Sequence, residues 1–150
     1  MEQSITKLPI VIKGILNGDD AKLAVAAGAR AVWVSNHGGR TLDTVPATLF
    51  CLPDVVDACK GSGVEVYADG GVRRGTDALK LLALGADAVF VGRPVLWGLA
   101  VDGQRGVADV LRMLNAELEL ACALAGISSA AHVPNSVLWK HSHPALVSRL

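Results

Sequence analysis

Lys13-Gly14-Ile15-Leu16-Asn17-Gly18-Asp19-Asp20-Ala21 aligns without a gap on Gly70-Gly71-Val72-Arg73-Arg74-Gly75-Thr76-Asp77-Ala78, an offset of 57 residues. The same offset brings Ala27-Gly28-Ala29-Arg30-Ala31-Val32-Trp33-Val34 onto Leu84-Gly85-Ala86-Asp87-Ala88-Val89-Phe90-Val91. Self-similarity at this period marks one supersecondary unit used twice. Each copy reads as strand, glycine turn, helix with an Asp near its start, glycine at its end, and a second strand. Asp20 and Asp77 sit where the positive end of a helix dipole favours a carboxylate. Gly28 and Gly85 sit where a helix ends in the left-handed conformation that suits glycine.

Outward from the repeat, Pro9 to Gly14, Ala31 to Asn36, Val64 to Gly70 and Asp87 to Gly92 read as four strands, each followed by a helix. Such alternation predicts an α/β fold with a parallel sheet covered by helices. The strand interiors are mostly apolar, which predicts burial on both faces. Four strands are complete by Gly92, whereas a closed (β/α)8 barrel takes about 250 residues, so the expectation is the C-terminal half of a TIM (β/α)8 barrel. A doubly wound open sheet is the rival, but GILNGD after the first strand is not its glycine fingerprint. Val107, Val110, Leu111, Leu114, Leu118 and Ala121 share one face of a predicted helix from Gln104 to Gly126. The expected division is a half-barrel domain over residues 1–126 and an extended tail over 127–150.

Of the 150 residues about half are hydrophobic, and Lys plus Arg balances Asp plus Glu at 14 each. No basic surplus draws the chain to nucleic acid or anionic lipid. No stretch is long enough to cross a bilayer without a charge or glycine. Neither nucleic acid nor membrane is an expected partner. Cys51, Cys59 and Cys122 lack metal-ligand spacing, and no metal is expected; Cys51 and Cys59 lie on one predicted helix as filler. The odd cysteine set and the lack of a secretory signal fit a reducing compartment. Ser148-Arg149-Leu150 is a conservative variant of the Ser-Lys-Leu peroxisomal tripeptide, which makes the peroxisome the expected location, otherwise the cytoplasm.

Active sites of parallel barrels form at the C-terminal strand ends, where Lys13, Ser35, His37, Arg40, Asp69, Arg73, Gly92 and Arg93 fall. Charges directly after buried strands are costly unless they meet a ligand or each other. Asp69-Gly70-Gly71-Val72-Arg73-Arg74-Gly75 and Gly92-Arg93-Pro94 follow what would be strands seven and eight, the usual phosphate position of this fold. Glycines let backbone N–H groups approach phosphate oxygens and Arg supplies a planar fork, so the segment predicts a phosphorylated ligand. His132, His141 and His143 lie in the tail outside any motif and read as solvated. Trp33 and Phe90 occupy equivalent repeat positions and read as barrel packing.

The stretches PIVIKGI, VSNHGGRTLD, DGGVRRGTDALKLLALGA and VFVGRP resemble the successive signatures of the FMN-dependent α-hydroxy-acid oxidases and dehydrogenases, a family that includes glycolate oxidase. The likeness runs from about Ser4 to Gly126, and SNHGGR is its most discriminating piece. It implies FMN as cofactor and oxidation of a small 2-hydroxy acid to a 2-oxo acid, with oxygen as acceptor. Carried over by position, Lys13 would lie beside the flavin N1 and O2, and Ser35 at the other edge of the ring. His37 would be the base that takes a proton from the substrate. Arg40 would pair with the substrate carboxylate. Asp69, Gly70, Gly71, Val72, Arg73, Gly92 and Arg93 would hold the ribityl and phosphate segment.

The resemblance also implies a further half barrel upstream, bearing substrate-side tyrosines and an aspartate that supports the histidine. The chain is therefore read as a fragment, a short isoform or a truncated gene model, with weak or no turnover alone. Two open sheet edges lead us to expect a homo-oligomer or pairing with an N-terminal half barrel. The alternative is a non-catalytic FMN- or phosphate-binding interaction module.

Overall fold

A computed structural model describes residues 5–139. Its four strands are β1 (Val11–Ile15), β2 (Ala31–Val34), β3 (Glu65–Ala68) and β4 (Ala88–Val89), paired in chain order and all parallel. The helices are α1 (Gly18–Ala26), α2 (Thr48–Cys59), α3 (Gly75–Ala83) and α4 (Arg93–Leu124). Sequential parallel strands, each followed by a covering helix, are half of a (β/α)8 barrel. Short 3-10 turns occupy His37–Gly39 and Asn135–Val137.

Local chemistry sets the element ends. Asn17 caps α1 by accepting the Asp20 N–H at 2.8 Å. Asp77 does the same service before α3, its Oδ2 accepting the Arg73 and Arg74 N–H groups at 3.1 and 3.0 Å. Gly28 and Gly85 close α1 and α3 with φ of 83° and 102°, the left-handed region expected of both. Asp54 of α2 accepts the Gly18 N–H at 2.6 Å and Glu117 of α4 accepts the Gly75 N–H at 2.8 Å, so neighbouring helices satisfy each other's open ends.

The core lies between the sheet and the helices. Val32, Val34, Val66 and Ala68 point to it from the strands, and Leu52, Val55 and Leu81 from the helices. Cys51 and Cys59 of α2 are buried in the same core. The expectation of strands buried on both faces requires correction. Trp33, Tyr67 and Phe90 alternate with the core residues and form an aromatic layer on the other sheet face, Trp33 and Phe90 with ring centroids 4.0 Å apart. Phe90 on that layer is 38% exposed, because no second layer of described residues covers it. The apolar residues of both faces are there, and one face is covered.

The repeat also differs from the gapless alignment. Val11 pairs with Ala31 whereas Tyr67 pairs with Ala88, so the first strands correspond at an offset of 56, while α1 and α3 begin 57 residues apart at Gly18 and Gly75. Lys13 is consequently the counterpart of Asp69, not of Gly70. A register shift between Lys13 and Ile15, around a left-handed Gly14, accompanies this change.

The last helix starts earlier than expected, at Arg93, where Pro94 suits a first turn. It turns a corner at Asp102 and Gly103 before the predicted Gln104 start. The two arms touch backbone to backbone: a Cβ on Gly106 would stand 1.9 Å from the Gly98 carbonyl oxygen. Among the described residues no helix is long and apolar enough to cross a membrane.

Candidate functional site

The strand ends build one polar cluster. Lys13 Nζ, from the middle of β1, donates to Ser35 Oγ at 3.1 Å, pairs with Asp69 Oδ2 at 3.5 Å and lies 5.1 Å from the centre of the Trp33 ring. Ser35 Oγ donates to Asp69 Oδ1 at 2.6 Å and accepts the His37 N–H at 3.1 Å. One donation and two acceptances use the full capacity of a hydroxyl.

After β2 the chain makes a tight 3-10 turn. His37, Gly38 and Gly39 all have positive φ (56°, 67° and 71°). Glycine adopts this region freely; for His37 it costs on the order of 1 kcal/mol and persists only where surrounding bonds hold it. The bonds are present: His37 N–H to Ser35, Gly38 N–H to Asn36 Oδ1 at 3.1 Å, and Gly39 N–H to the Asn36 carbonyl at 2.9 Å. Arg40 Nε donates to the His37 carbonyl at 3.2 Å and closes the turn. The His37 ring is exposed and hydrogen-bonds to no described residue.

A cavity of about 490 Å³ opens at these strand ends, within the usual size for a cofactor or small-ligand site. Lys13, His37, Arg40, Asp69, Gly70, Gly71, Val72, Arg73, Gly92 and Arg93 all line it. Every residue assigned to the site from sequence therefore reaches one cavity except Ser35. That residue is 1% exposed and stands behind Lys13 and Asp69. Its filled hydroxyl supports the wall from behind, holding Lys13 and Asp69. The sequence reading missed Trp97 on the cavity wall, although its i,i+4 spacing from Arg93 in α4 puts both on one helix face. It also gave Phe90 to packing alone, whereas Phe90 both packs on Trp33 and lines the cavity.

Charge and backbone suit an anion. Four cationic side chains line the cavity against the single carboxylate of Asp69, which already pairs with Lys13. Arg40, Arg73 and Arg93 form no ion pair among the described residues. Arg93 reaches over the turn, since a Cβ on Gly38 would stand 3.4 Å from its Nη2 and 3.8 Å from Arg40 Nε. Gly70 and Gly71 are left-handed (φ 98° and 81°), and their N–H groups donate to no described residue. Free amides beside unpaired guanidiniums make a cradle for phosphate.

Elsewhere, burial and the nearby Asp54 charge push the Cys51 thiol up, and burial does the same to Cys59. Tyr67 is raised by its hydrogen bond to Glu65, with burial adding to it. All three lie outside the cavity wall. His132 is exposed, whereas His141, His143 and Ser148-Arg149-Leu150 lie outside the described residues.

Comparison with known proteins gives this geometry a context. The chain is 55% identical over 146 residues to 2-hydroxyacid oxidase 1 of Mus musculus, covering 97% of this chain and 39% of that protein. It is 53% identical to glycolate oxidase 3 of Oryza sativa subsp. indica, over 99% of this chain and 40% of that protein. It superposes on a mandelate oxidase variant carrying a monooxide FMN adduct with a TM-score of 0.85 at 49% identity, covering 89% of this chain and 42% of that one. The chain thus spans about 40% of the length of these curated relatives. The profile of FMN-dependent dehydrogenases matches residues 3–140, nearly the whole sequence and every residue of the cavity wall, and the chain belongs to that family.

Proposed function

We propose that this chain supplies the flavin-phosphate site and the catalytic histidine of an FMN-dependent 2-hydroxy-acid oxidase, converting a small 2-hydroxy acid to the 2-oxo acid. One observation carries the reading: an imidazole and a guanidinium, His37 and Arg40, share a single cavity with an unpaired cationic cradle. A cavity lined by four cations suits a ligand that brings both a phosphate and a carboxylate substrate. Arg73, Arg93 and the Gly70, Gly71 and Val72 backbone would hold the phosphate, with Gly92 allowing close approach. Asp69 would hold the ribityl chain. Lys13, set by Ser35 and Asp69, would place its ammonium against the flavin ring. FMN held there would provide the two-electron acceptor for the hydroxy acid, with oxygen as the proposed final acceptor.

His37 would take the substrate proton, and Arg40 would pair with the carboxylate and fix the α-carbon beside the imidazole. The left-handed turn directs both side chains to the cavity. The uncovered aromatic layer of Trp33, Tyr67 and Phe90 supports a complementary N-terminal half barrel, or a homo-oligomer, as the partner that closes the site. The same open face favours a second reading, a phosphate-ligand or interaction module without turnover. Residues 1–126 would form the half-barrel domain and 127–150 the tail, with Ser148-Arg149-Leu150 as a peroxisomal address.

The test is flavin bleaching under anaerobic conditions, with the complementary half of a relative supplied. Short 2-hydroxy acids should bleach bound FMN, and His37→Ala should slow bleaching at least about a hundredfold, the low end for a lost general base. FMN affinity should stay within about twofold, because removing the His37 ring takes away no hydrogen bond to a described residue. An unchanged rate in His37→Ala would leave the non-catalytic reading standing.

A further inference from the structure

We propose that Asn36 and Thr48 form a clasp that locks the His37 turn to the Gly70-Gly71 loop, as positioning residues that line no part of the cavity. That the turn and the loop serve one site rests on the function proposed above; the clasp itself rests on the following contacts.

Asn36 makes contacts in three directions. Its side-chain oxygen accepts the Gly38 N–H at 3.1 Å, its side-chain nitrogen donates to the Pro46 carbonyl at 3.5 Å, and its own N–H donates to Thr48 Oγ1 at 3.4 Å. Thr48 is 2% exposed and is the first residue of α2, whose Leu52 and Val55 are fully buried in the core. The hydroxyl that receives the Asn36 amide therefore stands on a rigid element. Gly70, in the loop after β3, closes on the same two side chains: a Cβ there would stand 2.9 Å from Thr48 Oγ1 and 3.4 Å from Asn36 Oδ1.

Two loops 33 residues apart thus meet on one hydroxyl and one amide. The arrangement answers a need of the turn. His37, Gly38 and Gly39 are all left-handed, and without Asn36 the Gly38 amide would lose its partner. Without Thr48 the Asn36 backbone would lose its anchor to α2 and its shared contact with Gly70. The relative placement of the histidine and of the free Gly70 and Gly71 amides is set here, outside the cavity wall.

Gly71 provides a control inside the same loop. It has nearly the same backbone conformation, φ 81° against 98°, yet a Cβ at Gly71 meets nothing within 4 Å. Ala at either position strains the loop alike, and only at Gly70 does it press on the clasp.

Backbone amide hydrogen exchange on the full chain, without flavin, tests the proposal. Gly70→Ala and Thr48→Val should each speed exchange at His37 and Gly38 about fivefold, the loss expected for about one net hydrogen bond. Gly71→Ala and Thr48→Ser should leave both amides as in the parent, and α4 amides should not move in any variant. Equal effects of Gly70→Ala and Gly71→Ala, or of Thr48→Val and Thr48→Ser, would overturn the clasp, as would unmoved amides in Gly70→Ala. Should Gly70→Ala unfold the chain, faster α4 exchange would reveal it and the Thr48 pair would decide. FMN titration of the parent chain separates the two readings: lack of binding counts against the proposed function and leaves the exchange result intact.

Discussion

Replacing Arg93 with Ala isolates the contribution of the phosphate cradle. The guanidinium lies over the Gly38 turn, with Nη2 3.4 Å from a would-be Cβ, and forms no ion pair among the described residues. Its removal therefore strands no carboxylate and leaves the fold unchanged, so the loss falls on the ligand. A hydrogen bond to a charged group contributes about 1.5–3 kcal/mol. Because Arg93 is exposed, the low end applies, which corresponds to about tenfold weaker FMN binding. Flavin fluorescence titration measures it, and riboflavin is the control because it lacks the phosphate. Riboflavin affinity should change by less than about twofold, since no phosphate contact is there to lose. Rising salt should narrow the FMN difference, as screening weakens the remaining cations too. Equal losses for FMN and riboflavin would refute the assignment of Arg93 to phosphate; so would an unchanged FMN affinity.

Two further outcomes follow from packing and from titration. Gly75→Ala puts a Cβ 2.1 Å from the Leu118 nitrogen and 2.4 Å from the Glu117 carbonyl carbon, backbone atoms that cannot give way. It should destabilise by about 3 kcal/mol or more, the upper end for overpacking, read as a lower urea midpoint; an unchanged midpoint would show that α3 and α4 do not meet so closely. Cys51, Cys59 and Tyr67 are all raised in the fold, so the native state holds protons that the unfolded chain has released. Their stabilisation is complete below the unfolded thiol range, near the ordinary value of 9.0 for Cys, and is lost as pH rises through the higher folded values. Melting temperatures should fall between about pH 9 and pH 11, less steeply in Tyr67→Phe; a flat profile there would contradict the burial of the thiols.

Much of this was legible in local sequence. The Asp20 and Asp77 helix starts and the Gly28 and Gly85 helix ends depend on residues a few positions apart, and all four are where the pattern put them. The polar residues after each apolar run were also readable, because a strand carries its chain end to one rim. Trp97 escaped because Gly92-Arg93-Pro94 was read as a strand end, and the helix that follows brings position 97 back over position 93. Asn36 and Thr48 escaped because neither residue type signals a site without its neighbours in space.

By itself the sequence determined the repeat, the parallel strand order and the rim on which Lys13, His37, Arg40, Asp69, Arg73 and Arg93 gather. These follow from hydrophobic period and turn chemistry, which act over one or two helical turns. Only the tertiary structure decided that Lys13 matches Asp69, that Ser35 stands behind the wall, and that His37 is left-handed. Lys13 and Ser35 both meet Asp69, 56 and 34 residues further on, and the Asn36 amide that precedes the His37 turn meets Thr48 12 residues on, so these features rest on partners distant in the chain that hydrophobic period does not register.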